Sequence, residues 1–313
     1  MGGCPDCWFD VDGRFWFIPV MSISHKVYRT QGDGRWFPAR GAALRAMVSG
    51  YIDQAGQADG VPAVGRSMCA AVAPHAGYIY SGAVAGHTYR FLQAASQGGC
   101  GPDLVVVLGF PHRVSFRGVA WLDADVIRTP MGDMRVDREG MRRMLQAGGA
   151  DMFLDQSYHA QEHSAENQLP FIQVALPGVP LVVALIGGHD HDAAVRLASA
   201  LHAAGQGRRI CVIASTDLLH DPDYDRVVAS DQSTLAMMEN LDSDGLNKAW
   251  SYTSQVCCGI SPVLAALEVA RRGGCRRGKR LAYCNSGDID PAWRGQWVVG
   301  YGAMVFEGNN EKE

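Results

Sequence analysis

The sequence lacks a run of apolar residues long enough to cross a membrane. A transmembrane helix needs about 20 consecutive apolar residues, and no stretch of the 313 residues approaches that length. The first residues also lack a charged segment followed by an apolar one, so we expect no signal peptide. These absences predict a chain without a membrane partner.

Positive charge is scarce as well. The chain has 28 Lys and Arg against 32 Asp and Glu, for a formal net charge of -4. One short basic run, RRGGCRRGKR at residues 271–280, is typical of a solvated helix end and turn. Proteins that bind nucleic acids carry broad basic surfaces, so we expect no nucleic-acid partner here.

The cysteines do not form the dense pattern of a disulfide-stabilised domain. Nine cysteines are scattered over the chain, and three of them, Cys69, Cys211 and Cys284, lie in apolar segments typical of strands. Buried cysteines of this kind behave as small hydrophobic residues. We therefore expect a reducing, cytoplasmic location.

No linker, repeat or low-complexity segment divides the chain. We predict a single domain over residues 25–313, preceded by an N-terminal extension of uncertain order at residues 1–24. The extension is rich in Trp, Phe and Gly and contains a lone CxxC pair, Cys4 and Cys7. A structural zinc site of this type needs a second pair, which favours an extension without a metal.

Short apolar segments alternate with longer amphipathic ones along the domain. Continuous Val and Leu runs are typical of strands covered on both faces, whereas the amphipathic segments predict helices, one beginning at Ser81 and another at Ser164. The predicted strands are SMCAAVAPH, DLVVVLGFPH, LVVALIGG, RRICVIASTDLLH, RLAYCNSGD and WVVGYGAMVF. This alternation predicts an α/β fold with helices on both faces of a mostly parallel or mixed sheet.

Polar residues collect where the predicted strands end. His75 follows one strand, His112 the next, and Asp217 and His220 a later one. In open α/β sheets ligands bind beyond the carboxyl ends of the strands, so these side chains are expected to face one crevice. A single histidine at a strand end is more often a hydrogen-bond partner of a loop, but several together predict a site.

Six motifs resemble those of the Memo family, whose relatives are the class III extradiol ring-cleavage dioxygenases. They extend over nearly the whole chain from about Arg35, and RWFPA resembles the family's aromatic opening. The motifs are PHAGYIYSG, LGFPH, TPMGDMRVD, EHSAENQLPF, STDLLH and CCGISP. The resemblance implies a three-layer αβα sandwich of the class III extradiol dioxygenase type.

The resemblance also implies a metal site of two histidines and one cysteine. By motif these are His75, His112 and Cys258, although the adjacent Cys257 remains an alternative ligand. Two departures affect the surroundings of the site: Gly-Phe-Pro-His stands where the family often has Gly-Pro-Ser-His, and Ser261 stands where a histidine is common. Two histidines and a thiolate suit Fe(II), which we expect, while copper or zinc would also fit.

We expect a non-haem Fe(II)-dependent oxygenase whose partners are dioxygen and a small phenolic or metal-chelating substrate. His220 is predicted to be the acid–base group, and Asp217 to orient it or a metal-bound water. Alternatively, these two residues mark no more than a capped helix start. Glu162 and His163 are predicted to lie behind the metal ligands. Tyr78, Tyr80 and Arg113 are predicted to line the pocket, with core packing as the alternative for the two tyrosines and loop packing for the arginine.

Two other functions remain open at this stage. The first is a non-catalytic protein of the Memo family that binds iron or copper, or an adaptor that binds a peptide. The second is a zinc hydrolase on the same scaffold. An enzyme needs an open coordination position and an acid–base partner, which a metal buffer does not, so the presence of Asp217 and His220 favours the enzyme.

Overall fold

A computed structural model describes residues 26–56, 66–205 and 207–309, with two short strands ahead of them. The strands are β1 (Trp8–Phe9), β2 (Phe15–Trp16), β3 (Val27–Arg29), β4 (Arg66–Ala73), β5 (Leu104–Gly109), β6 (Gly118–Trp121), β7 (Val126–Thr129), β8 (Gly132–Arg135), β9 (Met152–Leu154), β10 (Leu181–Gly187), β11 (Ile210–Ser215), β12 (His220–Asp221), β13 (Lys279–Asn285) and β14 (Val298–Asn309). The helices are α1 (Gly41–Ala55), α2 (Tyr78–Gln97), α3 (Arg138–Gly148), α4 (Leu169–Ala175), α5 (His191–Ala204), α6 (Tyr224–Glu239), α7 (Ser243–Ala249), α8 (Ile260–Arg272) and α9 (Ser286–Ile289). Cys4, Cys7 and most of the predicted extension lie outside the described residues.

A nine-stranded mixed sheet forms the centre of the molecule. Its order is β12-β14-β4-β11-β5-β10-β6-β9, and β13 pairs with β14 outside this path. The four strands β4, β11, β5 and β10 are mutually parallel, while β14 runs antiparallel to β4 and β6 antiparallel to β10. A smaller sheet has the order β3-β7-β8. The predicted mixed α/β sheet is confirmed.

Two groups of helices cover the large sheet. In one group, α1, α2 and α4 pack against one another, and α2 also lies on β4, β13 and β14. In the other, α3 and α8 pack on α5, and α8 lies on β4 and β11. Strands β5 and β10 are buried along their whole length, as expected for strands covered on both faces. The result is the predicted three-layer αβα arrangement.

Tertiary hydrogen bonds move two helix starts away from the positions that the sequence predicts. Helix α2 begins at Tyr78 rather than Ser81, whose hydroxyl donates back to the Ala76 carbonyl at 2.9 Å. Helix α4 begins at Leu169 rather than Ser164, because the Ser164 hydroxyl bonds both the amide and the carbonyl of Phe110. In both places the serine hydroxyl forms hydrogen bonds with other backbone groups instead of capping the start of a helix.

The segment that ends in His220 also differs from the prediction. Strand β11 ends at Ser215, and the chain leaves the parallel sheet before His220 pairs with Val299 at the start of β12. No helix begins at Asp217, because α6 starts at Tyr224 with Asp223 as its N-cap. The alternative of Asp217 as a helix cap is therefore wrong. Within the described residues, no helix is both long enough and apolar enough to cross a membrane.

Candidate metal centre and its cavity

Three neighbouring parallel strands bring the predicted site residues to one edge of the sheet. Strand β11 lies between β4 and β5, and the three strands end at Ala73, Ser215 and Gly109. His75, Asp217 and His112 follow those ends within three residues. Since the carboxyl ends of parallel strands share an edge, the three side chains converge.

His75, His112 and Cys258 form a cluster whose potential ligand atoms all lie within 4.8 Å of one another. His75 Nε2 is 3.2 Å from Cys258 Sγ. The neighbouring Cys257 is not part of this cluster; burial raises the pKa of its thiol to about 12. The geometry therefore selects Cys258 over Cys257 as the candidate ligand.

The hydrogen bonds of Ser215 fix the tautomer of His75. The Ser215 hydroxyl donates to the Ser164 carbonyl at 2.5 Å and accepts from Gln168 Nε2 at 2.7 Å. Its single hydrogen is therefore used, so the contact with His75 Nδ1 at 3.0 Å must be an N–H donated by the imidazole. This leaves the lone pair of Nε2 directed at Cys258, as a metal ligand requires.

Glu162 orients the second histidine in the same way. Its carboxylate accepts from the His112 backbone amide at 2.6 Å and lies 3.0 Å from His112 Nδ1. Burial opposes the charge of Glu162, but these bonds and one from the Ser164 amide lower its pKa below the ordinary value. Nε2 is then the nitrogen of His112 that faces the cluster, and a carboxylate behind a histidine is a usual partner of metal ligands.

The sulfur of Cys258 lies where a thiolate is partly stabilised. It accepts a hydrogen bond from the Asp217 amide at 3.2 Å, with Thr216 Oγ1 at 3.5 Å. Cys258 also directly precedes Gly259, the N-cap of α8, where the helix dipole favours negative charge. Burial nevertheless raises the pKa of the Cys258 thiol, so a cation is needed for full ionisation.

Asp217 connects two of the strand ends. Its carboxylate accepts from the amides of His75 and Ala76 at 2.7 and 3.2 Å, and its carbonyl accepts from the Cys258 amide at 3.2 Å. Burial raises the pKa of Asp217. The side chain thus holds the His75 turn in place, and its described hydrogen bonds do not include one to His220.

His220 lies on the wall of the cavity above the cluster, where its side chain is exposed. Partial removal from water lowers the pKa of this imidazole, an effect that the charge of Asp217 opposes. A neutral imidazole that faces a cavity can accept a proton from a bound ligand. This placement is compatible with the predicted acid–base role.

His163 belongs to a stack of rings that leads away from the cluster. Its ring lies 3.8 Å from that of Trp36, with an interplanar angle of 6°, and 4.7 Å from that of His112. Burial lowers the pKa of His163 to about 3, so the ring is neutral. His163 therefore fixes the orientation of His112 by packing as well as lining the cavity.

Tyr78, Tyr80 and Arg113, which are also predicted to line the crevice, differ in where their side chains lie. Tyr78 lines it but is buried and donates its hydroxyl to the Asn167 carbonyl at 2.7 Å. Tyr80 lines it beside Trp293, with ring centroids 6.2 Å apart. Arg113 does not line it, because its exposed guanidinium turns toward Gln161.

His75 and His112 of the cluster line a cavity of about 690 Å³ whose walls are largely aromatic. The residues that line it are Gly34, Arg35, Trp36, Phe37, Pro38, Met47, His75, Ala76, Gly77, Tyr78, Ile79, Tyr80, His112, His163, Asp217, His220, Ser286, Trp293, Trp297, Val299 and Tyr301. Apolar walls with a few convergent polar groups are typical of a small-molecule site.

Two buried amides were not predicted as part of the site. Asn167 Nδ2 donates to the His75 carbonyl at 2.5 Å, and Gln168 Nε2 donates to the Pro74 carbonyl at 3.0 Å and to Ser215. Both side chains are 1% exposed or less. Their signal in the sequence is the pair Asn-Gln immediately before the apolar run LPFIQVA, because polar residues in such a place need buried partners.

A match to a known protein family extends over nearly the whole domain. The model of the family described as Memo-like protein matches residues 29–305. This chain belongs to the Memo family. A MEMO1 family protein of Methanopyrus kandleri is 32% identical over 283 residues, which cover 87% of this chain and 96% of that protein.

A second relative gives the same assignment. A MEMO1 family protein of Aeropyrum pernix is 34% identical over 243 residues, covering 77% of this chain and 84% of that protein. The crystal structure of an uncharacterized protein from Escherichia coli K12 superposes with a TM-score of 0.46 at 13% identity, covering 75% of this chain and 99% of that one. The resemblance of the six motifs to the Memo family is confirmed.

Proposed function

We propose that this Memo family protein is a metal-dependent oxygenase that holds Fe(II) through His75, His112 and Cys258. The observation that carries the proposal is the three-residue cluster, whose two histidines line an open aromatic cavity with His220 on the wall. A protein that only stores metal needs neither a substrate cavity nor an acid–base residue such as His220, whereas an oxygenase needs both.

The donor set fits a first-row transition metal. Two imidazoles keep Nε2 free because their Nδ1 atoms are engaged by Ser215 and Glu162, and the thiol beside them needs a cation to ionise. Two nitrogens and one sulfur suit Fe(II), Cu or Zn. When bound, Fe(II) would supply the one-electron chemistry that reaction with dioxygen requires.

Side chains of the cavity would bind the substrate and accept its proton. His220 faces the cavity and would accept the proton of a phenolic hydroxyl as the substrate binds. The aromatic walls would exclude water and hold a planar substrate against the cluster. The partners would then be a small phenolic or chelating molecule and dioxygen, and we place the protein in the cytoplasm, where a thiol ligand stays reduced.

The softness of the thiolate favours a second candidate function, the non-catalytic binding of iron or copper. Cys258 and His75 lie 3.2 Å apart, and a thiolate beside an imidazole also suits Cu(I). This function predicts metal binding at the same residues but no consumption of dioxygen.

The test is anaerobic purification of wild type, His75→Ala and Ser215→Ala, followed by elemental analysis and oxygen uptake with a panel of catechols. We expect wild type to retain about one equivalent of iron, His75→Ala to lose it, and Ser215→Ala to bind it about tenfold more weakly. Tyr252→Ala, an exposed residue outside this cavity, is the control and should behave as wild type.

The outcomes separate the candidates. Oxygen consumed with a phenolic substrate, and lost in His220→Ala with the iron retained, supports the oxygenase. Iron or copper bound at the cluster with no oxygen uptake supports the non-catalytic function. Metal retained in His75→Ala would show that the three-ligand site is wrong.

A further inference from the structure

The cavity is much larger than the simplest phenolic substrate needs. Its volume is about 690 Å³, whereas an apolar cavity of about 150 Å³ is enough to hold one benzene ring. A single-ring catechol bound at the cluster would therefore leave most of the cavity filled with water. The volume indicates a substrate that extends from the cluster toward the mouth.

The part of the cavity beyond the cluster is built for aromatic surface. Trp36, Tyr80 and Trp293 form its walls, and Ile79 and Trp297 lie at its mouth with 67% and 52% of their surface exposed. Large apolar side chains left in water at the rim of a cavity mark surface that a ligand covers. The middle of the substrate is therefore expected to be planar and apolar.

The lining holds one positively and one negatively charged side chain, and only the positive one is open to a ligand. Asp217 is the one carboxylate among the lining residues, and it is 3% exposed and engaged by two amides. Arg35 is the one arginine or lysine among them. Within the described residues, no carboxylate oxygen lies within 4.0 Å of its guanidinium.

The backbone holds Arg35 in a defined place. Its amide and that of Trp36 both donate to the Gly32 carbonyl, at 3.0 and 2.9 Å, and Gly34 turns the chain with a φ of 78°, a conformation that glycine adopts easily. The guanidinium carbon lies 5.5 Å from the centroid of the Trp36 ring. Arg35 is therefore separated from His112 by the stacked rings of Trp36 and His163.

We propose that the substrate is an extended aromatic carboxylate: its hydroxyl end lies at the cluster, its rings lie between the aromatic walls, and its carboxylate pairs with Arg35. Arginine binds carboxylates through two parallel N–H···O bonds, and a guanidinium beside an indole is already oriented for this. The inference rests on the proposed function only in placing the substrate in this cavity.

Calorimetric titration of metal-free protein tests the proposal independently of catalysis. The probes are a hydroxynaphthoate and the hydroxynaphthamide with the same substitution, which differ in charge but hardly in size, and a one-ring hydroxybenzoate. We expect wild type to bind the naphthoate about tenfold more tightly than the amide, and more tightly than the hydroxybenzoate.

Variants locate the charge effect. Arg35→Gln should bind the naphthoate and the amide equally, and Arg35→Lys should keep part of the preference because the charge remains without the planar fork. Arg45→Gln, on the exposed face of α1 outside the cavity, should retain the full preference.

Several results would overturn the proposal. These are equal affinities of the two naphthalene ligands for wild type, a preference that survives in Arg35→Gln, hydroxybenzoate binding as tight as that of the naphthoate, or no binding of either large ligand. None of them depends on metal content or oxygen uptake, so this inference and the oxygenase proposal can fail separately.

Discussion

The side chains at the cluster end of the cavity are held by specific hydrogen bonds, whereas those at its mouth are exposed. At the cluster, Ser215 and Glu162 fix the two imidazoles, and Asp217 fixes the turn that carries His75. At the mouth, Ile79 and Trp297 are largely exposed. A preorganised metal site needs side chains that hydrogen bonds hold in place, whereas a surface that adapts to a ligand tolerates exposed side chains.

The comparison predicts that small changes near the cluster cost much and large changes at the mouth cost little. The largest effect is expected for Gly259→Ala. An added Cβ would lie 2.6 Å from the Ser215 carbonyl oxygen and 2.9 Å from Thr216 Cβ, and the backbone there cannot move without displacing Cys258. We expect a loss of at least about 3 kcal/mol in the free energy of unfolding, together with weaker metal binding.

Urea unfolding and elemental analysis measure both consequences. The matched control is Gly50→Ala, within α1, where an added Cβ meets nothing within 4 Å. It should raise the free energy of unfolding by about 0.5–1 kcal/mol, because alanine favours a helix over glycine. A Gly259→Ala protein as stable as wild type would contradict the tight packing behind Cys258.

A second prediction concerns Asp231, which supports the segment carrying His220. Its carboxylate is fully buried, accepts from the Leu219 amide and receives the Tyr283 hydroxyl, each at 3.0 Å. Burial raises the pKa of Asp231 from 3.8 to about 7. The native protein then keeps a proton that the unfolded chain loses near pH 4, so the group lowers stability as the pH rises from about 4 to about 7.

Asp231→Asn removes this titration while keeping an acceptor for Leu219. The difference in the free energy of unfolding, wild type minus variant, should fall by about 3–4 kcal/mol between pH 4 and pH 8. Chemical denaturation across that range measures it. Asp225→Asn, on the exposed face of the same helix, is the control, and a parallel pH profile for Asp231→Asn and wild type would sink the prediction.

The smallest effect on stability is expected at the mouth. Trp297→Ala removes a large side chain that is 52% exposed, so the free energy of unfolding should change by less than about 0.5 kcal/mol. Its metal content should equal that of wild type. Binding of the hydroxynaphthoate should weaken severalfold as aromatic contact is lost, and unchanged binding would show that the ligand does not reach this rim.

The same comparison separates what the sequence predicts from what it leaves open. His75, His112 and Asp217 are predictable because each follows an apolar run that reads as a buried parallel strand, and such strands end at one edge. Trp293 and Trp297 lie in the connection between α9 and β14, whose path depends on contacts far along the chain. Strands β6, β7 and β8, of four residues each, are too short for a clear periodicity.

Errors in local structure have a related cause. Ser81 and Ser164 have the residue type of a helix cap, but both hydroxyls bind other backbone groups that the fold brings close. Arg113 follows His112 closely in sequence yet points out of the cavity, and Arg35, 77 positions before His112 along the chain, lines it instead. Local sequence patterns therefore predicted where the strands end, but not which residues form the walls of the cavity.

The long separation within the cluster has a consequence for biogenesis. His75 and Cys258, whose side chains touch, are 183 positions apart. A chain emerging from the ribosome therefore exposes both histidines well before the thiol that completes the set has been synthesised. Because β11 and α8 must also be in place to hold that thiol, the metal would be acquired after translation of the domain. A partly made chain would offer two imidazoles that bind ions weakly and release them readily.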